Sequence, residues 1–184
     1  MVRDADTKTR YSIPGVVTVQ VDTREKAPLL FPSTISIPHP EDTWKQLTIQ
    51  VKTEKVKLDY GDYRLKEYPM ECVIERKGSQ LEIFKNMIDS TDRIRQSKSF
   101  RKLTECHYPY ILIEASPASL MEGDDAEKVV HRLGVAIAKY GLHVLWMPWK
   151  GYGPVARRKI GTIMVHLMLS YGIHKKLDII PELI

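Results

Sequence analysis

Two short stretches, Gly61-Asp62-Tyr63 and Val73-Ile74-Glu75-Arg76-Lys77, whose Glu75 lies thirteen residues after that aspartate, decide how this chain reads. The second is the end of an apolar strand. Side chains on a strand alternate faces, so Glu75 and Lys77 point one way and Arg76 the other. Gly61 leads a turn, and Tyr63-Arg64-Leu65 begins a strand able to pair with the next. A hairpin of this kind brings Asp62 close to Glu75 and Lys77. Two carboxylates beside a lysine suit metal-dependent phosphodiester cleavage. Mg²⁺ takes oxygen ligands, keeps several waters and needs only one or two carboxylates plus a substrate phosphate. Such an ion lowers the pKa of water and offsets phosphate charge. A neighbouring lysine orients the water or neutralises developing charge. Singly, neither motif says much: Gly-Asp is common in turns, and Glu-Arg-Lys is ordinary surface composition. Their combination at strand ends behind an apolar run carries the reading.

Outward from this centre, Val16–Asp22 is rich in valine and reads as a strand. Lys26–Asp42 holds Pro28, Pro32, Pro38 and Pro40 and reads as a loop or extended meander. Lys45–Leu58 alternates through Leu47, Ile49 and Val51, giving one or two strands, and Glu71–Arg76 is a further strand. Leu81, Phe84, Met87 and Ile88 recur at helical spacing within Leu81–Leu103. Ser79 is the expected N-cap, and Ser90-Thr91-Asp92 a break that starts a second helix. That second half is basic, with Arg93, Arg95, Lys98, Arg101 and Lys102. It is either a solvated helix face or a surface along a nucleic-acid backbone, where such contacts bring affinity without reading sequence. Tyr110–Glu114 is a near-continuous apolar run, as in a buried central strand. Ala126–Tyr140 reads as an amphipathic helix, Leu142–Met147 as another buried strand, and Pro154–Tyr171 as a terminal helix. Its stripe of Ile160, Ile163, Met164, Leu167 and Met168 is core, or a face for a homodimer or heterodimer. Trp146, Trp149 and Tyr152 flank Lys150 as a strand-end aromatic cluster or a base-stacking platform. Hairpin-like order in the first half and alternation of strands and helices in the second predict an α/β fold. A mixed sheet with helices on both faces follows.

These residues resemble the nuclease domain of the XPF-type structure-specific endonucleases, a branch of the restriction-endonuclease-like superfamily. Val19-Gln20-Val21-Asp22-Thr23-Arg24-Glu25 is similar to that family's opening strand, ending Asp-x-Arg-Glu. Leu58-Asp59-Tyr60-Gly61-Asp62-Tyr63 is similar to its Gly-Asp-Tyr turn, and Ile74-Glu75-Arg76-Lys77 to its Glu-Arg-Lys core. Asp92-Arg93-Ile94, before the strand Tyr110–Glu114, is a weaker fourth match, and the likeness spans roughly residues 17–148. The resemblance implies a restriction-endonuclease-like mixed sheet. It makes Asp62 and Glu75 ligands of Mg²⁺ or Mn²⁺, and Lys77 a water- or phosphate-positioning group. Asp22, Arg24 and Glu25 line the same site, Arg76 is a structural or DNA-facing partner, and the fourth match favours Arg93 as DNA-binding, while Arg95, Lys98 and Arg101 are DNA-binding candidates from the basic helix face alone. The family places an aspartate four residues after the lysine. Here that position is Leu81, and the nearest acid, Glu82, is the candidate third ligand. The implied activity is hydrolysis of branched, flapped or forked DNA by a metal-activated water, as in repair and recombination. The rival readings are an inactive nuclease-fold DNA-binding or scaffold subunit, and a protein-interaction module using the terminal helix.

The gross numbers agree with this reading without proving it. The chain has 184 residues, net charge +5 and pI near 9.1, which suits one domain and a polyanionic partner. Residues 1–15 read as a flexible lead-in and 16–184 as one nuclease domain without the helix-hairpin-helix tail that the family often carries. Two cysteines, Cys72 and Cys106, form neither a disulfide framework nor a metal motif, so an intracellular, reducing compartment, cytoplasm or nucleus, is expected. The N-terminus is polar, no apolar run reaches membrane-spanning length, and no membrane partner is expected. Six histidines lie scattered, without a zinc spacing. No Gly-x-Ser-x-Gly elbow or phosphate-cradling glycine loop appears, which leaves serine hydrolases and nucleotide hydrolases unsupported.

Overall fold

The structure is a computed structural model and describes residues 13–39, 42–148 and 153–177. Its strands are β1 (Val16–Asp22), β2 (Thr34–His39), β3 (Asp42–Val56), β4 (Tyr63–Leu65), β5 (Cys72–Lys77), β6 (Tyr108–Ile113) and β7 (His143–Trp146). Its helices are α1 (Gln80–Ile88), α2 (Ser90–Leu103), α3 (Ala126–Tyr140) and α4 (Pro154–Leu177), with a 3-10 turn at Ala118–Met121. All strands join one mixed sheet in the order β2-β3-β1-β4-β5-β6-β7. β1 runs parallel to β3 and antiparallel to β4, which runs antiparallel to β5. β5, β6 and β7 are parallel neighbours, so their connections must cross over the sheet, and α1–α2 and α3 lie in those crossovers.

Alternation along each strand sorts the side chains into two cores. Val17, Val19 and Val21 of β1, Ile49 and Val51 of β3, Ile74 of β5 and Leu112 of β6 meet Ile160, Met164 and Met168 of α4. On the opposite face Val73 of β5 and Ile111 and Ile113 of β6 meet Ile83 and Met87 of α1, Phe100 and Leu103 of α2, and Val129 and Leu133 of α3. The chain is therefore an α/β protein, a seven-stranded mixed sheet with helices on both faces. The even-numbered side chains of β1 lie on this same face of the sheet, beyond the β5–β7 half that α1–α3 cover. Asp22 belongs to that set, and so does the Glu75–Lys77 side of β5: Gln20 pairs with Arg64, and Arg64 with Val73.

Several expectations need correction. The proline-rich stretch Lys26–Asp42 is not wholly a loop, since β2 forms an edge strand within it. Pro38 is tolerated there because an edge strand bonds a neighbour on one side only. β3 is a single strand of 15 residues. The helical stretch after Ser79 divides at Asp89, whose carboxylate accepts from the Asp92 N–H at 2.8 Å and caps α2. Ser79 caps α1 as expected, accepting from the Glu82 N–H at 3.2 Å. β7 is a half-buried edge strand rather than a buried interior one. The stripe on α4 is turned inward as core at Ile160, Met164 and Met168; Ile163 is its exposed member. The helix also continues past Tyr171 to Leu177. Most of the lead-in, and Trp149, Lys150 and Tyr152, lie outside the described residues; Trp146 packs against the α1–α3 core.

Candidate active site

The Gly61-Asp62 turn is held from both sides. The Asp22 N–H donates to the Asp62 carbonyl at 2.9 Å, and the Asp62 N–H donates to the Ile74 carbonyl at 2.8 Å. Gly61 has a φ of 69°, the left-handed conformation that glycine adopts without steric cost. A Cβ at this position would also run into the Val73 side chain. With its backbone tied between β1 and β5, Asp62 turns its carboxylate to accept the Arg76 N–H at 2.7 Å. Burial, and then the charge of Glu75, push this carboxyl up from an ordinary 3.8 to about 8. The two carboxyls are therefore not both fully charged at neutral pH.

Glu75 and Lys77, 8% and 6% exposed, face the same way, as strand alternation requires. Lys77 Nζ donates to Glu75 Oε1 at 2.8 Å, to Gln96 Oε1 at 2.8 Å and to Glu82 Oε1 at 3.4 Å. Burial by itself would raise the Glu75 carboxyl. The Lys77 charge and the hydrogen bonds from Lys77, Gln96 and Ser99 outweigh it and hold the group below the usual carboxylate range. Lys77 is held above the usual lysine range: burial would lower it, but Glu75 and then Glu82 reverse the sign. Glu82 also accepts the Gly78 N–H at 2.9 Å, which aims its side chain back at Lys77. Leu81, by contrast, is 80% exposed. In the first turn of α1 it is therefore the residue after the family's acidic position that faces the lysine.

Asp22 has little free capacity. Its oxygens accept from the Arg24 N–H, Nε and Nη2 at 2.6, 2.8 and 2.7 Å, and from the Leu58 N–H at 2.9 Å. These bonds overcome the effect of burial and hold its carboxyl below the usual range. Its role is to clamp Arg24, whose side chain stays 62% exposed and feels the charges of Asp62 and Glu75. Arg76 is not DNA-facing: its side chain is 8% exposed and forks onto Glu114 at 2.6 and 3.0 Å, with Glu25 at 3.4 Å. Glu25 is thereby drawn to the α4 side of the sheet, although its charge still reaches Asp62.

The four basic residues expected along DNA fan across about half the circumference of α2 instead of forming one stripe. Arg93 turns into a cleft against α3, and Arg95 pairs with Asp92 at 2.7 Å, while Lys98 and Arg101 are exposed. Two contributors went unrecognised in the sequence. Gln96 donates to Glu75 Oε1 at 3.2 Å as well as accepting from Lys77, and Ser99 donates to Glu75 Oε2 at 3.3 Å. Their three-residue spacing puts them on one helix face, but nothing local says that this face meets β5.

As a metal site the donor set is sparse. Among the described residues no cluster of three or more histidine, cysteine or acidic side chains is arranged to hold an ion. Asp62 and Glu75 do fit an ion that takes two carboxylates and fills its remaining positions with water and phosphate.

Among the described residues no helix is long and apolar enough to cross a membrane. No protein-family profile and no curated protein matches the chain. Among solved structures it is similar to XPF from Aeropyrum pernix, at 19% identity over 70% of this chain, with a TM-score of 0.48. The chain spans 52% of that protein's length. It is also similar to XPF from Aeropyrum pernix in complex with DNA, at 16% identity over 90% of this chain and 68% of that one, with a TM-score of 0.51. This second likeness supports a restriction-endonuclease-like fold, a mixed sheet with helices on both faces.

Proposed function

We propose that the chain is a Mg²⁺- or Mn²⁺-dependent DNA endonuclease acting on branched, flapped or forked DNA. The observation that carries this reading is the juxtaposition of the Asp62–Glu75 carboxyl pair with the buried ammonium of Lys77. Asp62 and Glu75 would hold the divalent ion, with Glu82 available as a third oxygen donor. When bound, the ion would lower the pKa of water and offset charge on the scissile phosphate.

The chain's own residues supply the rest. Lys77 keeps Glu75 ionised, so the carboxylate is ready to accept a ligand at neutral pH. Gln96 and Ser99 fix the Glu75 rotamer, and Gln96 holds Lys77 in place. Arg24, locked by Asp22, presents an exposed guanidinium suited to a backbone phosphate. Lys98 and Arg101 extend a cationic surface beyond the site, and Arg76 with Glu114 and Glu25 stiffens the far side of β5. The XPF structure in complex with DNA shares this sheet, which supports DNA as the partner.

The test uses labelled duplex, flap, fork and single-stranded DNA with Mg²⁺, Mn²⁺ or chelator, beside Glu75→Ala. Metal-dependent cutting that disappears in the variant is the expected result. Binding without cutting under every condition would replace this reading with that of a non-cleaving DNA-binding subunit.

A further inference from the structure

A cleft of about 360 Å³ opens between α1, α2 and α3, with Gln96 in its lining. That is within the size range of small-molecule sites. Its charged lining is wholly basic: Arg93, Arg132 and Lys139, with His131 and no acid. Its apolar lining includes Tyr140, whose ring packs against Phe100 at 6.1 Å and is fixed by a 2.6 Å hydrogen bond to Ser97. Lys139 Nζ lies 5.4 Å from the centre of the Tyr140 ring. Asn86 also lines the cleft, with a side-chain amide that no hydrogen bond to the other described residues engages. Arg132 is positioned by donating to the Met87 carbonyl at 2.7 Å.

Three cations call for an anion, a flat aromatic wall for a planar ring, and a free amide for a group with both donors and acceptors. We propose that the cleft binds a free nucleoside monophosphate, and that its occupancy is felt at Glu75 and Lys77 through Gln96. The phosphate sits among Arg93, Arg132 and Lys139, the base lies against Tyr140, and Asn86 meets the edge of the base. Gln96 is both a wall of the cleft and the residue bonded to Lys77 and Glu75, so a ligand that shifts it shifts the pair. The coupling rests on the nuclease reading for its consequence, while the binding does not.

The test is calorimetry in chelator with each of the four deoxynucleoside 5′-monophosphates, the matching nucleosides, inorganic phosphate and a short single-stranded oligonucleotide. At least one monophosphate should bind at one site, about tenfold or more tighter than its nucleoside or phosphate alone, as loss of charge-assisted bonds implies. Lys139→Glu, at an exposed position, should weaken it by about tenfold or more, and Val135→Trp, also exposed, should block it. Thermal melting shows that both variants fold. The Gln96 side-chain amide resonance, assigned with Gln96→Met, should move on binding in the wild type, whether or not the protein cuts DNA. No binding by any monophosphate, binding indifferent to both variants, or capture of the oligonucleotide alone would overturn the proposal. So would binding that leaves the Gln96 resonance unmoved. Absence of cutting with normal nucleotide binding would overturn the nuclease reading alone.

Discussion

Asp62→Asn should make the metal-free protein more stable at pH 8 and not at pH 4. A carboxyl pushed from 3.8 up to about 8 holds its proton more tightly in the folded chain than in the unfolded one. Its ionisation therefore opposes folding. The penalty is absent below the unfolded value, grows as pH rises through the interval from 3.8 to about 8, and levels off above it. At full weight it is on the order of 5 kcal/mol at pH 8. Asp62 is partly exposed, and solvent screening reduces the figure to on the order of 2–3 kcal/mol. Asparagine keeps an oxygen for the Arg76 N–H, so the turn is not the casualty. Urea unfolding in chelator at pH 4, 6 and 8 reads the effect. With a slope of about 2 kcal/mol per molar, the midpoint of the variant should rise by about 1 M at pH 8 and by little at pH 4. Adding Mg²⁺ at pH 8 should then stabilise the wild type and leave the variant unmoved. A variant no more stable than wild type at pH 8, or a gain equal at both ends of the range, would refute the reasoning.

Glu75 works with the opposite sign. Its depressed carboxyl stabilises the fold above the unfolded value and loses that contribution as pH falls through the folded one, so Lys77→Met should erase this acid-side slope in the same titration. Arg76→Ala leaves Glu114 buried without its partner and should cost about 3–5 kcal/mol in thermal or urea melts; Arg76→Lys should recover only part, because a single ammonium does not replace the fork. Gly61→Ala forces a Cβ into a left-handed backbone against Val73, and should cost on the order of 2–3 kcal/mol in the same melts. Gln96→Met, close in volume, should lower single-turnover cleavage by about tenfold or more with a small change in melting temperature. Rescue of the rate by a variant without an amide would count against a positioning role.

The sequence was most legible where period and chemistry coincide. β1 and β5 are short, apolar and end in charged residues, so alternation alone separates Glu75 and Lys77 from Arg76. The Ala126–Tyr140 helix was legible to the residue, since its apolar face is regular and Gly141 ends it in a left-handed cap. β2 was hidden because four prolines in the stretch Lys26–Asp42 mask a strand whose only requirement is one neighbour. The inward turn of the α4 stripe depends on where the helix docks, a long-range fact that helical spacing does not encode. Gln96 and Ser99 were missed for a similar reason. Neutral side chains on a basic helix signal nothing until β5 is placed beside them. Docking against α3 also sends Arg93 to a cleft, while Arg95 pairs with Asp92 one turn earlier on the same helix.

The two outer strands carry a consequence for how copies of the chain meet. A sheet with bare edges recruits further strands, in crystals, in swapped dimers and in aggregates. Here one edge is β2, interrupted by Pro38 with a register shift between Pro38 and His39; the other is β7, four residues long and followed closely by Pro148. Neither offers a long, regular row of free amides and carbonyls. Growth by strand addition is thus discouraged at both ends, and association of two copies falls to side-chain surfaces. Such surfaces can be tuned by single substitutions without any change to the sheet itself.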